Sequence, residues 1–160
     1  MIVFDSSTII LLAKIELLDV IINTYKGDII VTKEVERKAT VKETFDGMLI
    51  KKRIEEGKIK VKPIQDKNIE TFMEDFNIDL GETEAICLAL KYGSILATDD
   101  KNAINACKLL KIPFTTAIDF LLRAKEKKLL SNEESKIKLS QLAKYGRYKK
   151  EILEDVKRRL

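Results

Sequence analysis

Three short acidic segments carry most of the chemistry available to this chain: Asp5 in FDSST, Glu82 and Glu84 in GETEAI, and Asp99 and Asp100 in LATDD. No histidine occurs among the 160 residues. That absence excludes Ser-His and Cys-His nucleophile pairs, imidazole general bases and histidine-ligated zinc. Two cysteines, Cys87 and Cys107, lie far apart without a CxxC spacing. Both fall in apolar helical contexts and are expected to be reduced packing residues. Ionisable chemistry is left to carboxylates, lysine, tyrosine or a metal. Carboxylates brought within a few ångström of one another cannot all ionise unless protons or a cation neutralise them. An all-oxygen donor set is what Mg²⁺ or Mn²⁺ prefers. Such an ion lowers the pKa of a bound water and polarises a phosphoryl oxygen. The residue types therefore point to metal-assisted attack of water on a phosphate ester.

That chemistry requires elements that bring the acids together, and the hydrophobic pattern supplies them. Apolar runs at 2–4, 28–31, 58–62, 94–98 and 113–116 read as five strands. Between them, helical periodicity runs from Ile9 to Ile21 with Ser6 and Ser7 as N-cap candidates, through KEVERKA after a Thr32 cap, and from Gly47 to Glu56. It continues over Ile69–Phe76, Gly81–Tyr92, Lys101–Lys111 and IDFLLRAKEKKLL, with one or two further helices in 132–160. Alternating strands and helices imply right-handed crossovers and a parallel sheet covered on both faces, an α/β domain. In such sheets ligands bind beyond the carboxyl ends of the strands. Asp5 follows the first strand, and Asp99 and Asp100 follow the fourth. Glu82 and Glu84 open the helix that leads into the fourth strand, so its N-terminus lies at the same end of the sheet. Glu34 or Glu36, after the second strand, could add another acid. Each acid taken alone also fits a bland role, as a helix cap or a favourable charge in a first turn. Independent caps have no reason to gather at one end of one sheet.

Composition sets milder limits. The length fits one domain with a real core. The net charge of +4 permits a nucleic-acid partner without demanding one. No apolar run is long enough to span a bilayer, and MIVFDSST reads as a first strand and not as a signal peptide. The cytoplasm is the expected compartment. After Ser131 the chain becomes richer in Lys and Arg, so residues 1–130 are expected to form the main domain and 131–160 a basic helical extension of it.

The segments FDSSTIILLAK, GETEAICLALKYGSILATDD and TDDKNAINACKLLKI, in that order and spacing, resemble a PIN domain over nearly the whole chain. The paired acids of GETEAI followed by TDD are similar to an archaeal and bacterial subgroup related to VapC-type toxin ribonucleases. The resemblance implies a three-layer α/β/α fold with a central parallel sheet of four to five strands ordered 3-2-1-4-5. It implies Mg²⁺- or Mn²⁺-dependent endonucleolytic hydrolysis of RNA phosphodiesters. Asp5, Glu82 and Asp100 match the family's catalytic acids, and Glu84 and Asp99 are additional acids of the subgroup that would join Asp5, Glu82 and Asp100 around the metal. The family's second acid, counted from Thr32, falls on Lys38. Glu36 is the preferred substitute and Glu34 the alternative. Thr98 and the hydroxyls of Ser6 and Ser7 could position a water or a carboxylate, and Lys101 could meet the phosphate backbone.

The resemblance also implies partners. Toxins of this kind are held inactive by a small antitoxin that threads into the acidic mouth. Ile152, Leu153, Val156 and Leu160 recur at helical spacing and would serve either a homodimer or packing on the domain itself. Two rival readings stand beside the nuclease. A receiver domain would carry an Asp at the end of the third strand, where this chain has Lys62-Pro63. A catalytically weak module that binds RNA or protein would tolerate Lys38 in place of an acid.

Overall fold

The structure, a computed structural model, describes residues 1–160. Five short strands, Ile2–Phe4 (β1), Ile29–Thr32 (β2), Lys60–Lys62 (β3), Ile95–Ala97 (β4) and Phe114–Thr115 (β5), form one sheet in the order β3-β2-β1-β4-β5. Every pairing is parallel, with Val3 opposite Ile30 on one side and Leu96 on the other. The order and the α/β class are those expected from the sequence. Ten helices complete the chain: α1 (Ser6–Lys14), α2 (Leu18–Thr24), α3 (Lys33–Thr40), α4 (Phe45–Glu55), α5 (Ile69–Phe76), α6 (Leu80–Tyr92), α7 (Lys101–Leu110), α8 (Ala117–Glu126), α9 (Asn132–Tyr145) and α10 (Lys150–Arg159).

The central strands are apolar at every position except Thr32 because both faces of the sheet are covered. Ile2, Phe4, Ile29, Val31 and Ala97 point into the larger core, built with α1, α2, α3, α4, α8 and α9. The alternate residues Val3, Ile30 and Leu96 point into the smaller one, with α6 and α7. Both cysteines are buried and unpaired. The segment after Ser131 is part of this packing: Leu139, Leu142 and Val156 lie in the larger core, and Leu153, Tyr148 and Leu160 pack against it. Ile152 remains exposed.

The ladder extends past the assigned strands where it matters most. The Asp5 N–H donates to Ala97 O at 2.9 Å, and the Thr98 N–H donates to Thr115 O at 3.0 Å. Asp5 and Thr98–Asp100 therefore leave the sheet side by side, at the carboxyl ends of adjacent strands. No helix is long and apolar enough to cross a membrane.

Local boundaries differ from the sequence expectation in two instructive places. The helix expected over Ile9–Ile21 is two helices, broken where Glu16 adopts φ 57°. The freed carbonyls of Ile15 and Glu16 accept hydrogen bonds from Lys138 Nζ on α9 at 2.7 and 3.3 Å. The N-cap of α1 is Asp5, not Ser6 or Ser7, because the Asp5 carboxylate accepts from the Ser6 N–H at 2.7 Å.

Candidate active site

Asp5 is the centre of the acidic mouth and is 1% exposed. Its Oδ1 accepts from the Ser6 N–H, and its Oδ2 accepts from the hydroxyls of Ser7 and Thr98, each at 3.0 Å. Those donors favour the carboxylate, but burial outweighs them and holds the carboxyl above its ordinary pKa. Thr98 does a second job. Its Oγ1 accepts from the Asp100 N–H at 3.2 Å, so one hydroxyl links the first acid to the segment carrying the last. Ser7 makes a parallel link, donating to Asp5 while accepting from the Asp99 N–H at 3.2 Å. Ser6 contributes its backbone N–H to Asp5, whereas the hydroxyl that reaches Asp5 is that of Ser7.

Asp100 is the N-cap of α7, its Oδ2 accepting from the Ala103 N–H at 2.9 Å. Glu82 lies in the first turn of α6, in a reciprocal capping box with Asp79. The Glu82 N–H donates to Asp79 Oδ1 at 2.8 Å, and Glu82 Oε2 accepts from the Asp79 N–H at 2.9 Å. The carboxyl of Glu82 is pushed up to about 7, first by burial and then by the negative charges of Asp5, Asp100 and Asp79. Its response to Asp5 and Asp100 shows that the three acids share one electrostatic environment. The bland and functional roles thus coexist in the same residues: Asp5, Glu82 and Asp100 each stabilise a helix start and also face the mouth.

One cation stands among these acids, and it is Lys38. Its Nζ donates to Asp79 Oδ2, and the charges of Asp5 and Glu82 help hold the ammonium above its ordinary pKa against the opposing effect of burial. The lysine stem runs over the start of α6. A Cβ on Gly81 would lie 3.3 Å from Lys38 Cδ, so the absence of a side chain there lets the lysine pass. Glu36, two residues from Lys38, is rotated about 200° round α3 from the face that meets the mouth, and the structure does not bring it to the acids. Glu34 is one turn before Lys38 on the same face. Its carboxylate pairs with Arg37, which keeps its pKa low. Lys38 therefore occupies the position from which a second acid was expected.

The remaining acids have other partners. Asp99 points away from Asp5, toward the start of α8. Its oxygens accept from Thr8 Oγ1 at 2.6 Å, from the Ala117 N–H at 3.1 Å and from the Tyr148 hydroxyl. Glu84 Oε2 accepts from the Glu34 N–H at 3.4 Å and ties α6 to the start of α3. Lys101 is exposed beside Asp100 at the start of α7. Two contributors were not singled out from the sequence. Asp79 was detectable, since Asp79-Leu80-Gly81-Glu82 has the spacing of a capping box. The approach of Tyr148 to Asp99 spans 49 residues and leaves no local signal. Ser6 and Ser7 were both read as candidate hydroxyls, and side-chain direction alone makes Ser7 the one that reaches Asp5.

Whether these residues suit a hard cation turns on their donors. Glu82 keeps Oε1 and Asp100 keeps Oδ1 free of protein donors, and Asp5 Oδ1 accepts a single hydrogen bond. As the side chains stand, no three acids converge on one point at ligand distance. The set suits an ion that takes one or two carboxylates directly and completes its shell with water, as Mg²⁺ does.

A family model described as a PIN domain (DUF3368) matches residues 1–160. No curated protein and no solved structure gives a significant match. With its 3-2-1-4-5 parallel sheet and acids gathered at the carboxyl ends of adjacent strands, the chain belongs to the PIN-domain family, whose members are generally nucleases.

Proposed function

We propose that this PIN domain is a Mg²⁺- or Mn²⁺-dependent endoribonuclease whose ion is held by Asp5, Glu82 and Asp100, one or two of them directly and the rest through waters. The observation that carries the reading is the gathering of Asp5, Glu82 and Asp100 at one end of the sheet, with Glu82 Oε1 and Asp100 Oδ1 free of protein donors; burial first, and then the neighbouring carboxylates, hold Glu82 at about 7, a state that a divalent cation relieves. A bound ion supplies charge neutralisation and Lewis acidity toward a phosphoryl oxygen and a water. The protein's own contribution is positional. Thr98 holds Asp5 and Asp100 in fixed relation through one hydroxyl, and Ser7 orients the second oxygen of Asp5. The Lys38 ammonium, tethered by Asp79 at the rim, is placed to meet a non-bridging phosphate oxygen. Asp99 and Glu84 serve the scaffold in this reading, because their oxygens already hold α8 and α3 in place. A toxin role, with an antitoxin covering the mouth, belongs to the same proposal and rests on the family resemblance.

A second reading has one observation in its favour. Lys38 in place of an acid reduces the negative charge available to cations, as a catalytically weak RNA- or protein-binding module would allow. Cleavage of end-labelled single-stranded RNA, with Mg²⁺ or Mn²⁺ and with excess chelator, separates the two. The nuclease reading expects cleavage that the chelator abolishes. Intact RNA under every metal condition favours the binding module.

A further inference from the structure

We propose that the groove between α7, α8 and α10 is a binding track for single-stranded RNA that leads to the acidic mouth; this rests on the nuclease reading for its substrate but not for its geometry. The groove encloses about 590 Å³. Its walls are two helix faces, each at the i, i+3, i+4, i+7 spacing of a single stripe. One is Lys101, Ile104, Asn105 and Lys108 of α7, and the other is Ile152, Asp155, Val156 and Arg159 of α10. The start of α8 forms the floor, and the link between α9 and α10 adds Arg147 and Lys149.

Charge in this groove is one-sided in a specific way. Its five cations, Lys101, Lys108, Arg147, Lys149 and Arg159, are all exposed, and none takes part in an ion pair. Its three acids are already engaged. Asp99 is held by Thr8, Ala117 and Tyr148, Asp119 by the Thr116 capping box, and Asp155 by Arg158 at 3.5 Å. A ligand entering the groove therefore meets free positive charge and committed negative charge. Lys101 and Lys108 are two helical turns apart, roughly 10 Å along α7, so they would contact different phosphates of one strand. Ile152 is exposed on the α10 wall and offers apolar surface for a base, above the buried floor residues Ile118 and Leu122. Free cations spaced along an open groove suit the phosphate backbone of an unpaired strand.

The groove is also fixed to the mouth. Asp99 and Lys101 line it, and Asp100 between them faces Glu82. The Tyr148 hydroxyl on Asp99 pins the basic link between α9 and α10 to that same strand end. A strand lying in the groove would thus pass the acids at the end marked by Lys101.

The test is equilibrium binding of a fluorescein-labelled 12-nucleotide single-stranded RNA, followed by anisotropy in chelator so that no cleavage occurs. The full chain is compared with Arg147→Ala/Lys149→Ala/Arg159→Ala and with a charge-matched control, Lys26→Ala/Lys51→Ala/Lys67→Ala, on other exposed surfaces. The track predicts a Kd raised at least 10-fold in the groove variant and less than 2-fold in the control. The slope of log K against log salt should shrink by about 2, at roughly 0.7 per lost phosphate contact for single strands. Equal losses in both variants, or none in either, would overturn the track. Asp5→Asn separates this from the nuclease reading. Binding that survives Asp5→Asn but fails in the groove variant supports the track even if the wild type cleaves nothing. Metal-dependent cleavage with an unchanged Kd in the groove variant refutes the track and leaves the nuclease.

Discussion

Replacing Glu82 by Gln should stabilise the metal-free protein at alkaline pH while weakening its response to metal. Gln keeps the size of Glu and can still serve the capping box with Asp79, since Gln is accepted at that position. What it removes is a charge whose pKa is lifted from 4.5 to about 7. At 1.36 kcal/mol per unit, full conversion of that shift corresponds to about 3 kcal/mol, and solvent screening at this half-buried site reduces it to about 2 kcal/mol. The sign follows from proton binding. Between pH 4.5 and 7 the folded protein keeps the proton while the unfolded chain loses it, so wild-type stability falls as pH rises through that window. Below pH 4.5 both states are protonated and the substitution is nearly neutral. Above pH 7 the full penalty is present, and Glu82→Gln should gain about 2 kcal/mol, or roughly 4–8 °C in melting temperature for a chain of this size. Urea unfolding in chelator at pH 4.5, 6 and 8 measures it, and repetition with Mn²⁺ should show a smaller Mn²⁺-induced gain in the variant than in the wild type. A Glu82→Gln protein no more stable than wild type at pH 8, or one stabilised equally at pH 4.5, would refute the argument that burial and neighbouring carboxylates disfavour the charge on this acid.

Other outcomes follow from neighbouring groups. Tyr148→Phe removes a hydroxyl that donates to the half-buried Asp99 carboxylate. It should cost about 1.5–3 kcal/mol in urea unfolding, and a loss below 0.5 kcal/mol would remove Tyr148 from the scaffold of the mouth. Lys38→Glu places an acid where the family pattern expects one and removes the ammonium beside Asp79. It should tighten Mn²⁺ binding by calorimetry about tenfold, equivalent to 1.4 kcal/mol, and lower metal-free stability at pH 8. Weaker Mn²⁺ binding would contradict the placement of Lys38 at the mouth. Gly93→Ala, at φ 60° with open space around its Cβ position, should cost about 1 kcal/mol through backbone strain alone, read as a shifted unfolding midpoint without loss of cleavage.

Much of this arrangement is legible in the chain because strand and helix are each encoded locally. Ile2–Phe4 and residues 29–31 are apolar on both faces, which marks strands inside a covered parallel sheet, and Gly93 at φ 60° ends α6 where the pattern stops. The acids are legible because Asp5 and Asp100 cap helices that follow strands, and Glu82 lies in the first turn of the helix that leads into the fourth strand. What is not legible depends on distant partners. Nothing near Glu16 announces a helix break, because the cap for those carbonyls arrives from Lys138, more than 120 residues later. Asp99 and Asp100 are identical in type and adjacent in sequence, yet one turns to Tyr148 and α8 while the other turns to the mouth. The position of the second acid could be counted from Thr32 to Lys38. That the lysine side chain actually fills that place follows from Asp79 and the bare Cα of Gly81, both on another helix.

The central claim is that the acids around Asp5 hold a cation that cleaves RNA. The most direct test is cleavage of end-labelled single-stranded RNA in Mn²⁺ by the wild type and by Asp5→Asn, with both shown to be folded by circular dichroism. Asn cannot supply the buried carboxylate that Ser6, Ser7 and Thr98 orient. The account predicts chelator-sensitive cleavage by the wild type and a loss of at least 100-fold, about 2.7 kcal/mol of transition-state stabilisation, in Asp5→Asn. Cleavage by Asp5→Asn at the wild-type rate would contradict it.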